Sequence, residues 1–231
     1  MRARDFVTNN VDYHDALCPK AWDGDRLKSD IAERLLKISK RFVSYLEIPG
    51  FRVLDVVLTG SMANYNWTRY SDFDIHVVTD YQDLQCDDLA EAFYQAKKKI
   101  WNDAHDITIH GHEAELYVED IHEPPVSAGM YSLLKHLWLK KPSYNPPEID
   151  DGAINHKVAS LIKQIDTALQ SADADDVKRV LDKIRRMRRA GLDTAGEFGT
   201  ENLAFKILRN QGYLDQLSKE YHRKQDNELS I

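Results

Sequence analysis

The sequence predicts an α+β fold: a small mixed β-sheet with helices, followed by a C-terminal helical domain. Three observations carry that expectation. Two apolar strands, Val53–Leu58 and a second beginning at Asp72, bracket a short polar loop. A further pair of strand-like runs, Asp106–His110 and Glu113–Glu119, turns near Gly111. From Glu123-Pro124-Pro125 onward, the apolar residues recur at helical spacing. The composition shift at that point divides the chain into residues 1–123, with an N-terminal arm, and residues 124–231.

Taken in order, Met1–Asp25 is polar and irregular, with turn signals at Cys18-Pro19 and Asp23-Gly24-Asp25 and an apolar anchor at Trp22. Arg26–Leu46 predicts a helix, because Leu27, Ile31, Leu35, Ile38, Phe42 and Leu46 keep one face until Ile48-Pro49-Gly50 stops it. The two strands follow. Between them, Tyr65 and Trp67 are read as residues that pin the loop to the core, in preference to stacking on a base. Asp87–Trp101 predicts a second helix, capped by Asp87, with Leu89, Ala92, Phe93, Ala96 and Ile100 inward. Its Lys97-Lys98-Lys99 run reads as a solvated end near the negative pole of the helix dipole.

In the second half, Met130, Leu133, Leu134 and Leu137 predict a helix over Val126–Leu139. A Pro- and Asn-rich link, Ser143–Pro147, leads to helices over Ile154–Leu169, Asp173–Ala190 (closing at Gly191) and Glu201–Asn210, then a short one through Leu214, Leu217 and Tyr221.

The chain of 231 residues has 42% hydrophobic and 30% charged residues, an ordinary globular composition. The formal charge of −7 provides no global positive field to recruit nucleic acid. Cys18 and Cys86 are too few for a disulfide framework or a cysteine zinc site, which suits a reducing cytosol. Met1–Asn10 has no apolar signal segment, and no run approaches membrane-spanning length. A cytoplasmic location is expected.

The chemistry concentrates in Leu58–Asp80. On a strand, Asp72 and Asp74 project to one face while Phe73 and Ile75 point to the other. Two carboxylates so close repel when ionised, and a divalent cation removes the conflict; hard oxygen ligands suit Mg²⁺ or Mn²⁺. Gly60-Ser61, at the end of the preceding strand, allows the backbone to approach a phosphate closely.

Gly60-Ser61, a loop and Asp72-x-Asp74 on a strand together resemble the nucleotidyltransferase superfamily that includes DNA polymerase beta. The resemblance covers about Leu54–Val118. It implies that Ser61 contacts phosphate, that Asp72 and Asp74 bind metal, and that a third carboxylate follows on a later strand. Glu115, followed by Leu116-Tyr117-Val118, fits that place best, and Glu113 on the same face is the alternative. The implied activity moves a nucleoside monophosphate from an NTP to an acceptor hydroxyl and releases pyrophosphate. Asp72, Asp74 and Glu115 would be catalytic metal ligands, and Gly60 and Ser61 the nucleotide-binding turn. The competing class on the same fold is a non-catalytic nucleotide- or partner-binding module, antitoxin-like or a phage accessory protein.

A longer likeness, through Trp22-Asp23-Gly24-Asp25, the TGSMANYNWT loop and GEFGTENLAFKILRNQGYL, is to predicted nucleotidyltransferases of tailed bacteriophages, which would place the protein in a host cytoplasm. His76, His110 and His112 lack the spacing of a zinc motif and read as ordinary histidines. Lys178, Arg179, Lys183, Arg185, Arg186, Arg188 and Arg189 lie on one helix, either as a solvated face or as a grip on phosphate. The acceptor stays open among a small molecule, a protein and an RNA end; extended nucleic-acid binding is not expected.

Overall fold

The computed structural model describes residues 13–84, 87–124 and 127–231; Met1–Asn10 and Cys86 lie outside them, as does the Asp87 side chain expected as a cap. Compactness separates Tyr13–Asn145 from Pro146–Ile231. The described residues of 124–145, which composition alone joins to the helical half, therefore lie with the sheet.

The first unit opens with a small antiparallel hairpin, β1 (Trp22–Asp23) and β2 (Arg26–Leu27). Helix α1 (Ser29–Leu46) follows, burying Ile31, Leu35, Ile38, Phe42 and Leu46, the face expected from their spacing. It starts later than the periodicity implies, because Arg26 and Leu27 pair with Asp23 and Trp22. Strands β3 (Asp55–Thr59), β4 (Phe73–Thr79), β5 (Thr108–Ile109), β6 (His112–Asp120), β7 (Met130–Ser132) and β8 (Leu137–Lys140) form one mixed sheet in the order β5-β6-β4-β3-β7-β8. Only β4 and β6 run parallel among these pairs, with α2 (Asp87–Ala104) between them in sequence. Strand β3 is buried throughout, whereas β4 alternates, with Phe73, Ile75 and Val77 in the core.

Two expectations fail here. The helix expected over Val126–Leu139 is the β7–β8 hairpin, whose described residues start after Val126. The i, i+3, i+4, i+7 pattern of Met130, Leu133, Leu134 and Leu137 is overridden by β3, whose open edge takes up this stretch. Leu133 N donates to Val56 O at 2.8 Å, and Ser132 Oγ donates to buried Asp55 Oδ1 at 2.7 Å. Trp138 then stacks on Trp22, with ring centroids 4.7 Å apart. The second failure is the facing of α2. Its core residues are Ala90, Tyr94 and Trp101, while Leu89, Ala92, Phe93, Ala96 and Ile100 are exposed.

The second unit packs α3 (Asp151–Gln170), α4 (Ala174–Ala195), α5 (Thr200–Asn210) and α6 (Tyr213–Leu229) around Ile154, Val158, Ile165, Val177, Ile184, Ile207, Leu208 and Leu217. The side chains of Asp150 and Asp173 cap α3 and α4. Lys224 of α6 donates to the carbonyls of Leu169 and Ser171, where the C-terminal pole of α3 favours a cation. The short helix expected after Gly212 runs as far as Leu229.

Helix α4 does not close at Gly191 but continues to Gly196, because Gly191 is a packing residue. A Cβ there would lie 2.5 Å from Glu201 Cβ on α5. In a free helix Gly→Ala stabilises by about 1 kcal/mol. Overpacking a tight contact costs about 1–3 kcal/mol. Gly191→Ala is therefore expected to lower stability in a urea titration, against its helix propensity.

Candidate active site

The site is built where β3 ends, β4 begins and β6 passes beside them. Antiparallel pairing sets Thr59 opposite Asp74, and the chain leaves β3 through Gly60 at φ +71°. A Cβ at Gly60 would lie 1.8 Å from Asp74 Oδ2. No other residue allows the backbone this close to the carboxylate, so the turn and Asp74 form one assembly.

A short 3₁₀ turn, Ser61–Ala63, follows. Trp22 Nε1 donates to Met62 O at 2.7 Å, tying the turn to the N-terminal hairpin and giving Trp22 the anchoring part expected of it. Ser61 Oγ donates to Ser71 Oγ at 2.7 Å, and Ser71 Oγ also accepts from Thr68 N at 2.8 Å. The loop is thereby closed just before Asp72. Trp67 pins the loop as expected: its Nε1 donates to Ala16 O, and its ring stacks on His14 at 3.7 Å.

Behind the loop lies His112, 2% exposed. Its Nδ1 is 2.7 Å from Ser71 O and its Nε2 is 3.3 Å from Lys20 Nζ. A carbonyl accepts and an ammonium donates, so the ring is neutral with its proton on Nδ1. Burial pushes its pKa down, against the bond to Ser71, and Lys20 adds to the depression.

Asp74 lies on β4 and Asp72 one residue before the strand, which begins at Phe73 rather than at Asp72 as expected; both are half-buried. Parallel pairing places Glu115 directly beside Asp74. Glu113 is exposed and pairs with Thr108 of β5. The next residue on the Glu115 face is Tyr117, whose hydroxyl donates to Glu115 Oε2 at 2.5 Å. The Tyr117 phenol is held far above its ordinary pKa, by burial first, then by Asp74 and Glu115, with Asp72 contributing. One phenol thus lies within the field of all three carboxylates.

Lys98 of α2 places its Nζ 3.8 Å from the Tyr117 ring centroid. Burial lowers its pKa, while Glu115 and Asp74 pull it back up. His76 stacks on Tyr117 at 4.8 Å and places Nδ1 2.7 Å from Glu119 Oε2. Tyr117 was findable in the sequence, two residues after Glu115 on the same strand face. Lys98, read as part of a solvated end, reaches this place through a crossover that no local pattern reveals.

Among the described residues, one group of metal-capable side chains has its ligand atoms all within 4.8 Å of one another, and it is Asp80, Asp120 and His122. It lies at the other end of β4 and β6, and Asp72, Asp74 and Glu115 are not gathered so tightly. Sequence reading did not single it out.

Residues 32–128 match the family model of the nucleotidyltransferase domain. With Gly60, Ser61, Asp72, Asp74 and Glu115 all inside it, this stretch is a nucleotidyltransferase domain of the superfamily the motif resembles. Among solved structures, the chain is similar to the STING-associated CdnE c-di-GMP synthase from Capnocytophaga granulosa, at 12% identity over 87% of this chain and 83% of that one. The TM-score is 0.22, and a likeness that low carries no argument about substrate. No curated protein matches the sequence. No described helix is long and apolar enough to cross a membrane.

His112 yields a pH prediction. A histidine whose folded pKa is depressed contributes stability above its unfolded pKa, about 6.5. That contribution is lost as pH falls through the folded value. Thermal unfolding followed from pH 8 downward is expected to show stability falling below about pH 6.5. His112→Gln is expected to flatten that slope.

Proposed function

We propose that the chain is a metal-dependent nucleotidyltransferase, moving a nucleoside monophosphate from an NTP to an acceptor hydroxyl with release of pyrophosphate. The acceptor oxygen forms the new bond to the α-phosphorus, the bond from that phosphorus to the bridging oxygen breaks, and the acceptor proton leaves. The observation that carries the reading is the register of Asp74 with Glu115, with Gly60 seated against the Asp74 carboxylate.

Asp72, Asp74 and Glu115 are the residues that would hold Mg²⁺ or Mn²⁺. A shared face of carboxylates, with no Cβ over Asp74, is a hard-oxygen donor set suited to those ions. Bound there, such an ion supplies neutralising charge at the phosphates and acidifies the acceptor hydroxyl. The protein's own part is position and charge. Glu115, with one oxygen fixed by Tyr117, keeps the other for a ligand or for the acceptor's proton. The Gly60–Ala63 turn lies on the opposite side of Asp74 from β6, where it can take the β and γ phosphates.

Asp72→Ala and Asp74→Ala are each expected to abolish transfer of label from NTPs in a host lysate and to weaken Mn²⁺ binding, without loss of fold. Tyr117→Phe is expected to retain the fold and lose about 10–100-fold in activity or metal affinity, as second-layer changes do. Wild-type transfer by either aspartate variant would overturn the mechanism. Absence of transfer by the wild type with every NTP, despite Mn²⁺ binding, would favour the non-catalytic module.

The acceptor is a small molecule, a protein hydroxyl or an RNA end in preference to a long strand. Of the bases on α4, Arg179 and Arg185 lie beside Asp176 and Asp182, Lys183 donates to Gln164, and Arg188 sits over Phe205. Single-stranded RNA is expected to bind weakly, with Arg185, Arg186 and Arg189 to Ala making little difference. Tight binding that falls steeply between two salt concentrations, and that these changes destroy, would make α4 a polynucleotide clamp instead.

A further inference from the structure

Hydrogen bonds converge on Ser71, the residue before Asp72. Its N donates to Thr68 O at 3.1 Å and its Oγ accepts from Thr68 N at 2.8 Å, so the two residues close a tight turn from both ends. Its O accepts from His112 Nδ1 at 2.7 Å, which ties the turn to the start of β6. His112 is held in its place by Lys20, whose Nζ also donates to His110 O at 3.0 Å. Ser71 is 7% exposed, too deep to meet a ligand itself, whereas Ser61 is only half-buried.

The side chain of this fixed residue lies 2.7 Å from Ser61 Oγ. A hydroxyl has one proton to give and two lone pairs to offer. Ser71 Oγ accepts from Thr68 N and from Ser61 Oγ, so both of its lone pairs are taken. Ser61 has thereby spent its proton on Ser71, yet an ionised phosphate oxygen accepts and needs that proton. Rotation of the two hydroxyls removes the conflict. Ser71 turns its own proton to Ser61 Oγ and keeps the bond from Thr68 N, and the Ser61 proton is released to an incoming oxygen. Only hydrogen bonds change.

Resting on the reading of Gly60–Ala63 as the turn that takes the β and γ phosphates, we propose that Ser71 is a positioning residue for the triphosphate. It fixes the Ser61 oxygen in the empty site, and it becomes the donor to Ser61 when a phosphate arrives. The Ser61 proton then points at the phosphate instead of into the loop. Only a nucleotide with phosphates beyond the α position gains this bond, so Ser71 favours an NTP over the corresponding NMP. Because Asp72 follows directly in the chain, the same anchored residue sets the first carboxylate relative to the phosphate contact.

Calorimetry of the full chain with Mg²⁺ tests this apart from catalysis. The probes are ATP, GTP, CTP and UTP analogues with a methylene α–β bridge, which bind without transfer, and the matching NMPs. For the analogue that the wild type binds most tightly, Ser71→Ala is expected to weaken binding by about 10–100-fold, the range for a hydrogen bond to a charged group. The matching NMP is expected to bind as it does to the wild type. Ser71→Cys, alike in shape with a weakly donating thiol, is expected to fall between and serves where the alanine variant does not fold. Ser61→Ala is expected to lose as much as Ser71→Ala, and the double variant no more than Ser61→Ala alone. A merely structural part for Ser71 would add its loss to that of Ser61. Wild-type affinity in both Ser71 variants, an equal loss for the NMP, or additive losses would overturn the role of Ser71 alone. A wild type that binds no analogue more tightly than its NMP would overturn the nucleotidyltransferase reading with it.

Discussion

The constraint around which this end of the sheet is arranged is the close approach of the Gly60 backbone to the Asp74 side chain. It is closer than any side chain permits, since even a methyl would lie 1.8 Å from Oδ2. Several separate features converge on it. The β3–β4 register brings Thr59 and Asp74 together, Trp22 holds the turn from one side, and the Ser61–Ser71–His112 chain holds it from another. The N-terminal hairpin, the loop and the start of β6 thus meet at one turn, although they are distant in sequence. Any shift of that turn moves the backbone relative to Asp74, so the loop has little freedom to relax independently.

Electrostatics gives the same end of the sheet its character. Asp74 and Glu115 stand side by side in register, and a hydroxyl and an ammonium accompany them. Tyr117 bonds Glu115 without adding charge, and Lys98 sits over the Tyr117 ring. The phenol must remain protonated for this to work, and burial together with the carboxylates ensures that it does. Tyr117 is thus a fixed donor that keeps Glu115 in one orientation.

Much of this was legible in the sequence where local pattern and tertiary context agree. The α1 face, the buried β3, the alternation of β4 and the helices of the second half all follow from periodicity. The Gly60-Ser61 and Asp72-x-Asp74 elements were legible because a short loop joins two adjacent strands. Choosing Glu115 over Glu113 needs the β4–β6 register, which a sequence supplies only through the resemblance. Pattern alone does not reveal the β7–β8 hairpin, because its leucines fit a helix equally well and only the open edge of β3 selects the strand. The α2 error is of another kind. Its apolar spacing was a true helical signal, and the assumption that an apolar face points to its own core was what failed. A weaker pattern, Ala90, Tyr94 and Trp101, makes that core contact.

The tight group at the opposite end of β4 and β6 has a structural account. Asp80 Oδ1 accepts from Gln82 N at 3.0 Å, and Asp120 Oδ1 accepts from Tyr81 N at 3.2 Å. Both carboxylates therefore fold the chain as it leaves β4, and exposed His122 lies 3.5 Å from Asp80. That end has its own short turn, Tyr81–Leu84, whose first backbone amides already bond to these carboxylates. Strand β3 runs antiparallel to β4, so it ends where β4 begins, and its turn can meet only the carboxylates at that end. The polarity of one strand pair thus decides which of the two acidic clusters the Gly60–Ala63 turn lies beside.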